Sequence, residues 1–335
     1  MTGLWLAVAV AFGFALTNGF HDAANAIAAL VATRVATPGR AVVMAAVFNV
    51  LGPLLVGGAV ADTVAGIVEV PADQTITVVG AALTGAVAWN LATWRLGLPS
   101  SSSHALVGAL VGAAVVDAGW SAVTWGGFHG IEPYGVLGVL AVLVISPILG
   151  LLAGAALDAL ARRATRRATR RADVVVRGGQ WVASASLAFS HGANDAQKTI
   201  GVVALLLVAG GQIPSLAAPT WVKLASGLVL TLGTAMGGWT IVRTIGRRIY
   251  RVRPLDGLVT QAGSAAVIFG SSLVGAPVST TQVVASSVVG SGIGRHRWRH
   301  IRWRVVQEMG LAWLITLPVS AVLAIVALPL WRRIG

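Results

Sequence analysis

Gly192-Ala193-Asn194-Asp195-Ala196-Gln197-Lys198 sets a carboxylate, an ammonium and two amides within seven residues, between the apolar runs Trp181–Phe189 and Thr199–Ala209. Charge in the middle of a membrane span costs several kcal/mol and so marks function. A partner to this stretch lies near the start of the chain, Gly19-Phe20-His21-Asp22-Ala23-Ala24-Asn25-Ala26. Setting Asp22 on Asp195, 173 residues further on, pairs Gly19 with Gly192, His21 with Asn194 and Asn25 with Lys198. Each half of the chain thus holds one polar, Asp-centred break in an apolar run.

The surrounding composition is that of a polytopic α-helical membrane protein. Of 335 residues, 56% are hydrophobic and 10% charged, with mean hydropathy +0.82; a soluble domain carries about 25% charged residues. The apolar runs are continuous rather than alternating, which argues against a transmembrane β-barrel. Forty-one glycines and abundant alanine suit close helix packing in lipid. The absence of cysteine excludes disulfide and thiol chemistry. No basic residue precedes the first apolar run, so no cleaved signal peptide is expected. The net charge of +13 would suggest nucleic acid in a soluble protein; here the arginines fall in loops between spans, where topology explains them and no nucleic-acid partner is expected.

Candidate spans are Leu4–Val31, Ala41–Ala61, Thr75–Leu96, Ser100–Val116, Tyr134–Leu160, Trp181–Val208, Thr220–Val242, Leu255–Val274, Pro277–Ile293 and Val305–Leu330. About 20 apolar residues cross a bilayer. Threaded in order, these spans put Arg34, Arg40, the central run Arg162 to Arg177, the run Arg243 to Arg253 and the run Arg295 to Arg304 on one side. The opposite loops carry Asp62, Glu69, Asp73, Asp117 and Glu132. The positive-inside rule makes the Arg side cytoplasmic and puts both termini outside, with Arg332 and Arg333 as exceptions. Leu4–Val31 then runs inward and Trp181–Val208 outward, so the Asp motif is repeated with inverted topology, as in many secondary transporters. The halves are 1–160 and 179–335, joined by an Arg-rich cytoplasmic loop at 161–178 suited to anionic lipid.

A second pair of motifs follows the first in the same order. Gly97-Leu98-Pro99-Ser100-Ser101-Ser102-Ser103-His104 matches Gly275-Ala276-Pro277-Val278-Ser279-Thr280-Thr281-Gln282, 178 residues later. Each is read as a helix start: Pro fits the first turn and Ser or Thr caps free N–H groups. A helix N-terminus inside a membrane is a site for an oxyanion. The fold expected is therefore an all-α polytopic membrane protein of two inverted-topology repeats, each with a broken helix and a helical hairpin carrying a Pro-Ser/Thr tip.

Asp22 and Asp195 are candidates to bind Na⁺, take a proton or accept a hydrogen bond from a protonated substrate. They would repel a fully ionised anion, so a cation or proton is expected to accompany the substrate. Lys198 can offset Asp195 or face the anion; Asn25, Asn194 and Gln197 are ligand candidates. His21, His104 and Gln282 are candidates for a proton path or cation coupling, and His191 for capping the second break. Asn18, Asn49 and Asn90 read equally as helix–helix hydrogen bonds, and Glu308 as a solvated helix end. Nothing has zinc or haem ligand spacing, and no Gly-rich phosphate loop or nucleophile–base pair is present, so neither ATP-driven transport nor enzyme chemistry is expected.

At these residues the sequence resembles the inorganic phosphate transporter (PiT) family, which carries a Gly-x-Asn-Asp signature and a Pro-x-Ser-x-Thr/Ser-His-like motif in each half. Gly192 to Asp195 matches the signature fully, and Gly19 to Asp22 departs only at His21; Pro99 to His104 matches, and Pro277 to Gln282 lacks the final His. The resemblance covers nearly the whole chain. It implies a cell-membrane symporter of inverted repeats, a homodimer, carrying phosphate with Na⁺ or H⁺ and in some members as a neutral metal–phosphate complex. No resident cofactor is implied. Ser101, Ser102, Ser103, Ser279, Thr280 and Thr281, with Asn25, Asn194 and Lys198, are the residues expected to hold phosphate. H⁺ is favoured over Na⁺ on the strength of His21 and His104. Sulfate or another oxyanion, and an uncoupled anion channel, are the competing readings.

Overall fold

A computed structural model describes residues 2–167, 172–236, 249, 252–294 and 298–335. Arg170, Arg171, Arg243, Arg247, Arg248, Arg251, Arg295 and Arg297 of the basic loops, and the end of the Thr220–Val242 span, lie outside the described residues. The helices are α1 (Thr2–Ala32), α2 (Pro38–Leu55), α3 (Ala59–Ala65), α4 (Ala72–Leu96), α5 (Ser102–Ala118), α6 (Gly135–Thr165), α7 (Ala172–Ala209), α8 (Thr220–Met236), α9 (Pro254–Leu273), α10 (Thr280–Gly294) and α11 (Trp303–Trp331). Five of these, α1, α2, α4, α6 and α11, are by length and composition apolar enough to cross a bilayer. The others are shorter or more polar, and α7 and α10 are buried within the bundle over most of the motif-bearing length.

The Asp-centred stretches interrupt the apolar pattern but not the helices, contrary to the expected breaks. α1 runs continuously through Gly19 to Ala26 and α7 through Gly192 to Lys198. Neither stretch contains proline, the residue that removes an intrahelical donor. Their glycines serve helix crossings instead. A Cβ on Gly192 would lie 2.2 Å from the Asn49 carbonyl oxygen of α2, and one on Gly52 would lie 2.4 Å from Ala193 N. The other half repeats this contact: a Cβ on Gly19 would lie 2.1 Å from Leu230 O of α8, and one on Gly233 would lie 2.2 Å from Leu16 O.

Three further local features depart from the sequence reading. The Ala41–Ala61 span stops at Leu55, before Gly57-Gly58, and α3 begins afresh. Gln197 of α7 accepts hydrogen bonds from the first α3 amides, Val60 N–H at 3.0 Å and Ala61 N–H at 3.3 Å. A short antiparallel hairpin, β1 (Gly127–His129) with β2 (Glu132–Tyr134), precedes α6. Pro99 and Pro277 sit ahead of their helices rather than in the first turn, because Ser101 is the N-cap of α5 and α10 starts at Thr280. The left-handed glycines Gly97 (φ 64°) and Gly275 (φ 68°) turn the chain out of α4 and α9 into each tip.

Packing is exchanged between the halves. α1 lies on α8 and α2 on α7; α11 covers the α4–α5 hairpin, and α6 covers the α9–α10 hairpin. The two tips meet inside this bundle, where the Ser103 hydroxyl donates to the Val278 carbonyl at 3.0 Å.

The bundle has two chemically distinct ends. At one, Gly3 packs on Ile334, Glu69 N–H donates to Ala122 O at 2.9 Å, and Arg332 Nε pairs with Asp117 at 2.8 Å. That ion pair gives Arg332 a carboxylate among the acidic loops. At the other end Thr33 and Gln180 are hydrogen bonded, Gly294 packs on Asp158, and Arg302 N–H donates to Ile249 O.

Candidate functional site

The two Asp motifs and the two hairpin tips converge on one buried polar cluster. Asp22 accepts a hydrogen bond from Ser102 Oγ at 3.0 Å, in its own half, and from the Thr281 hydroxyl of the other half. Asp195 accepts from Thr280 Oγ1 at 2.9 Å, again in its own half, and from Lys198 Nζ. Lys198 also donates to Ser103 Oγ at 2.6 Å and to the Val278 carbonyl at 3.0 Å. Asn25 Nδ2 donates to Thr280 and Thr281 at 3.2 and 3.1 Å. The contacts obey the sequence repeat: Ser102 and Thr280 are equivalent and hold equivalent aspartates, and Lys198–Ser103 mirrors Asn25–Thr281.

Each carboxylate also has an imidazole beside it. His21 Nδ1 lies 3.3 Å from Asp22 Oδ1, and His191 Nε2 lies 2.8 Å from Asp195 Oδ2. His191 is anchored from behind by Asn49 at 3.1 Å, and Asn49 donates onward to Thr234 at 3.2 Å. Asp22, His191 and Asp195 offer ligand atoms within 4.8 Å of one another. Every member of the cluster is buried; Lys198 is 1% exposed, and an ammonium at that depth persists only with its donors satisfied.

Other expected residues are nearby but differently engaged. Ser101 accepts from His104 N–H at 3.2 Å and Ser279 from Gln282 N–H at 3.4 Å, so both act as helix caps. The His104 ring turns back to Ser101 Oγ at 2.7 Å instead of to a carboxylate. Asn194 Nδ2 points away to Ser272 and Ala276, and His21 Nε2 contacts Thr93. Glu308 is an exposed partner of Arg304, as a solvated end should be. The residue left out of the expected site is His191. Its signal was its spacing, four positions before Asp195 on one helix face.

The sequence model described as "Phosphate transporter family" matches residues 18–176 and 158–324. The chain belongs to this family. It is 38% identical to the "Probable low-affinity inorganic phosphate transporter" of Bacillus subtilis, over 96% of this chain and 95% of that one. It is 39% identical to the protein of the same description from Mycobacterium tuberculosis, over 99% of this chain and 78% of the other. A solved structure described as "The sodium-dependent phosphate transporter" superposes over the full length of both chains with a TM-score of 0.86 at 24% identity, a likeness of fold. The family is one of transporters and not of enzymes. The Asp motifs of this family member therefore sit in a membrane transporter of inverted-repeat, all-α architecture.

Proposed function

We propose that this chain imports inorganic phosphate across the cell membrane by cation symport, with H⁺ favoured over Na⁺. The carrying observation is that the hydroxyls of both hairpin tips are already donating to Asp22 and Asp195. A proton or Na⁺ arriving at a carboxylate removes its need for those donors. The hydroxyls, with the N–H groups of two opposed helix starts, are then free to turn to a tetrahedral oxyanion. Anion binding thereby depends on the cation, which is what symport requires. The imidazoles beside each carboxylate favour a proton. Asp22, His191 and Asp195 also suit a divalent ion entering with phosphate as cargo. The cytoplasmic end is the Arg-bearing one, with both termini outside. A homodimer rests on the family likeness alone, and sizing of the detergent-solubilised protein tests it.

Reconstitution in liposomes tests the function. Labelled phosphate should accumulate under an inward proton gradient, with arsenate competing and sulfate not. Uptake that needs Na⁺ and ignores the proton gradient overturns the choice of ion, and downhill flux without accumulation means a channel. Ser102→Ala and Thr281→Ala should each raise the half-saturating phosphate concentration at least about tenfold, since a charge-assisted hydrogen bond contributes roughly 1.5–3 kcal/mol. Unchanged half-saturation in both would move the anion site elsewhere.

A further inference from the structure

We infer that Lys198 is a tethered cation: its ammonium fills one of two pseudo-symmetric cation positions, so the C-terminal half of the site needs no exchangeable ion. This rests on the transport reading for its consequence, but not for its geometry. Lys198 Nζ has three protons and three oxygen partners, the Asp195 carboxylate, the Ser103 hydroxyl and the Val278 carbonyl. A carboxylate, a hydroxyl and an unwound-backbone carbonyl are the oxygens that bind an alkali cation at a broken segment in a membrane. The set is drawn from α7 and from both tips, so the charge at this point holds the two halves together.

The equivalent position in the other half carries no such charge. Asn25 occupies it, donating to Thr280 and Thr281, while its Oδ1 is buried without a partner. One helical turn before Asp22, Asn18 is fully buried, and neither its Oδ1 nor its Nδ2 has a partner. Asn18, Asp22 and Asn25 are spaced i, i+4, i+7 and share one face of α1. Their equivalents on α7 are His191, Asp195 and Lys198. The two halves thus present the same frame. One has its positive charge built in, and the other keeps two amide oxygens and a carboxylate for an ion that comes and goes. Among the described residues Asp22 has no Lys or Arg partner. The asymmetry halves the number of ions that must move with each anion.

The test converts Lys198 to the residue its repeat partner uses. Lys198→Asn and Lys198→Ala are purified in detergent, and their thermal unfolding is compared in NaCl and in choline chloride at matched ionic strength. Both variants should melt lower than wild type in choline, and NaCl should recover several degrees in the variants beyond any change in wild type. Equal responses of variants and wild type to NaCl overturn the inference, as does failure of both variants to fold in either salt. Wild-type phosphate uptake is measured alongside. Its absence would remove the transport reading while leaving the cation result intact. Variants that gain Na⁺-stimulated uptake would support both.

Discussion

Accumulation of phosphate should fall to background in Asp22→Asn and in Asp195→Asn, with both proteins still folded and inserted. Asparagine keeps the shape of the side chain and removes a charge: at Asp22 the one that a coupling ion answers, at Asp195 the one that holds the Lys198 ammonium in the site. Beside its imidazole, each carboxylate accepts from two further donors, Ser102 and Thr281 at Asp22 and Thr280 and Lys198 at Asp195. The asparagine oxygen still accepts, so these bonds weaken without vanishing and the fall in accumulation comes from the missing charge. The two variants should differ in stability. Asp195→Asn strands Lys198, whose ammonium is then buried without a counter-charge; breaking a buried pair this way costs about 3–5 kcal/mol. Asp22→Asn strands no lysine and should melt closer to wild type. Proteoliposome uptake and thermal unfolding measure the two effects separately; near-normal accumulation in Asp22→Asn removes Asp22 from the coupling step, and in Asp195→Asn it removes the Asp195–Lys198 pair from the transport site.

The second large effect is structural. Gly192→Val and Gly19→Val should yield no stable protein. The atoms that a new Cβ would meet, Asn49 O at 2.2 Å and Leu230 O at 2.1 Å, are backbone and cannot step aside. Overpacking typically costs about 1–3 kcal/mol when side chains yield, and these crossings lie above that range. Gly13→Val is the control: it sits on the same helix as Gly19, and a Cβ there meets nothing within 4 Å. Equal melting temperatures for Gly13→Val and Gly19→Val would show that the motif glycine has another purpose.

The convergence of Asp22 and Asp195 was legible because an inverted repeat places equivalent residues about one axis, and a constant spacing reveals the repeat. The hairpin tips were legible for the same reason. Helix continuity through the motifs was not, because glycine next to polar residues reads as a break when its neighbour across the interface is unknown. The partner of Gly192 is Asn49, far away in sequence, and no local pattern points to it. Gln197 on the first amides of α3 is hidden in the same way. The capping roles of Ser101 and Ser279 follow from where each helix starts, and a run of four serines leaves that start undetermined by propensity alone.

The exchanged packing has a consequence for how the chain is made. Ribosomes deliver α4 and α5 early, yet the helix that covers them, α11, follows only after α6 to α10. Until it arrives, Gly85, Gly108 and Gly112 lack the neighbours they abut in the folded protein, Ala324, Leu317 and Ala321. The first hairpin must therefore wait in the bilayer while α6 to α10 are made, and a chain stopped short of Trp303 would leave that groove unfilled. α11 acts as the closing stitch of the first half, although it belongs to the second.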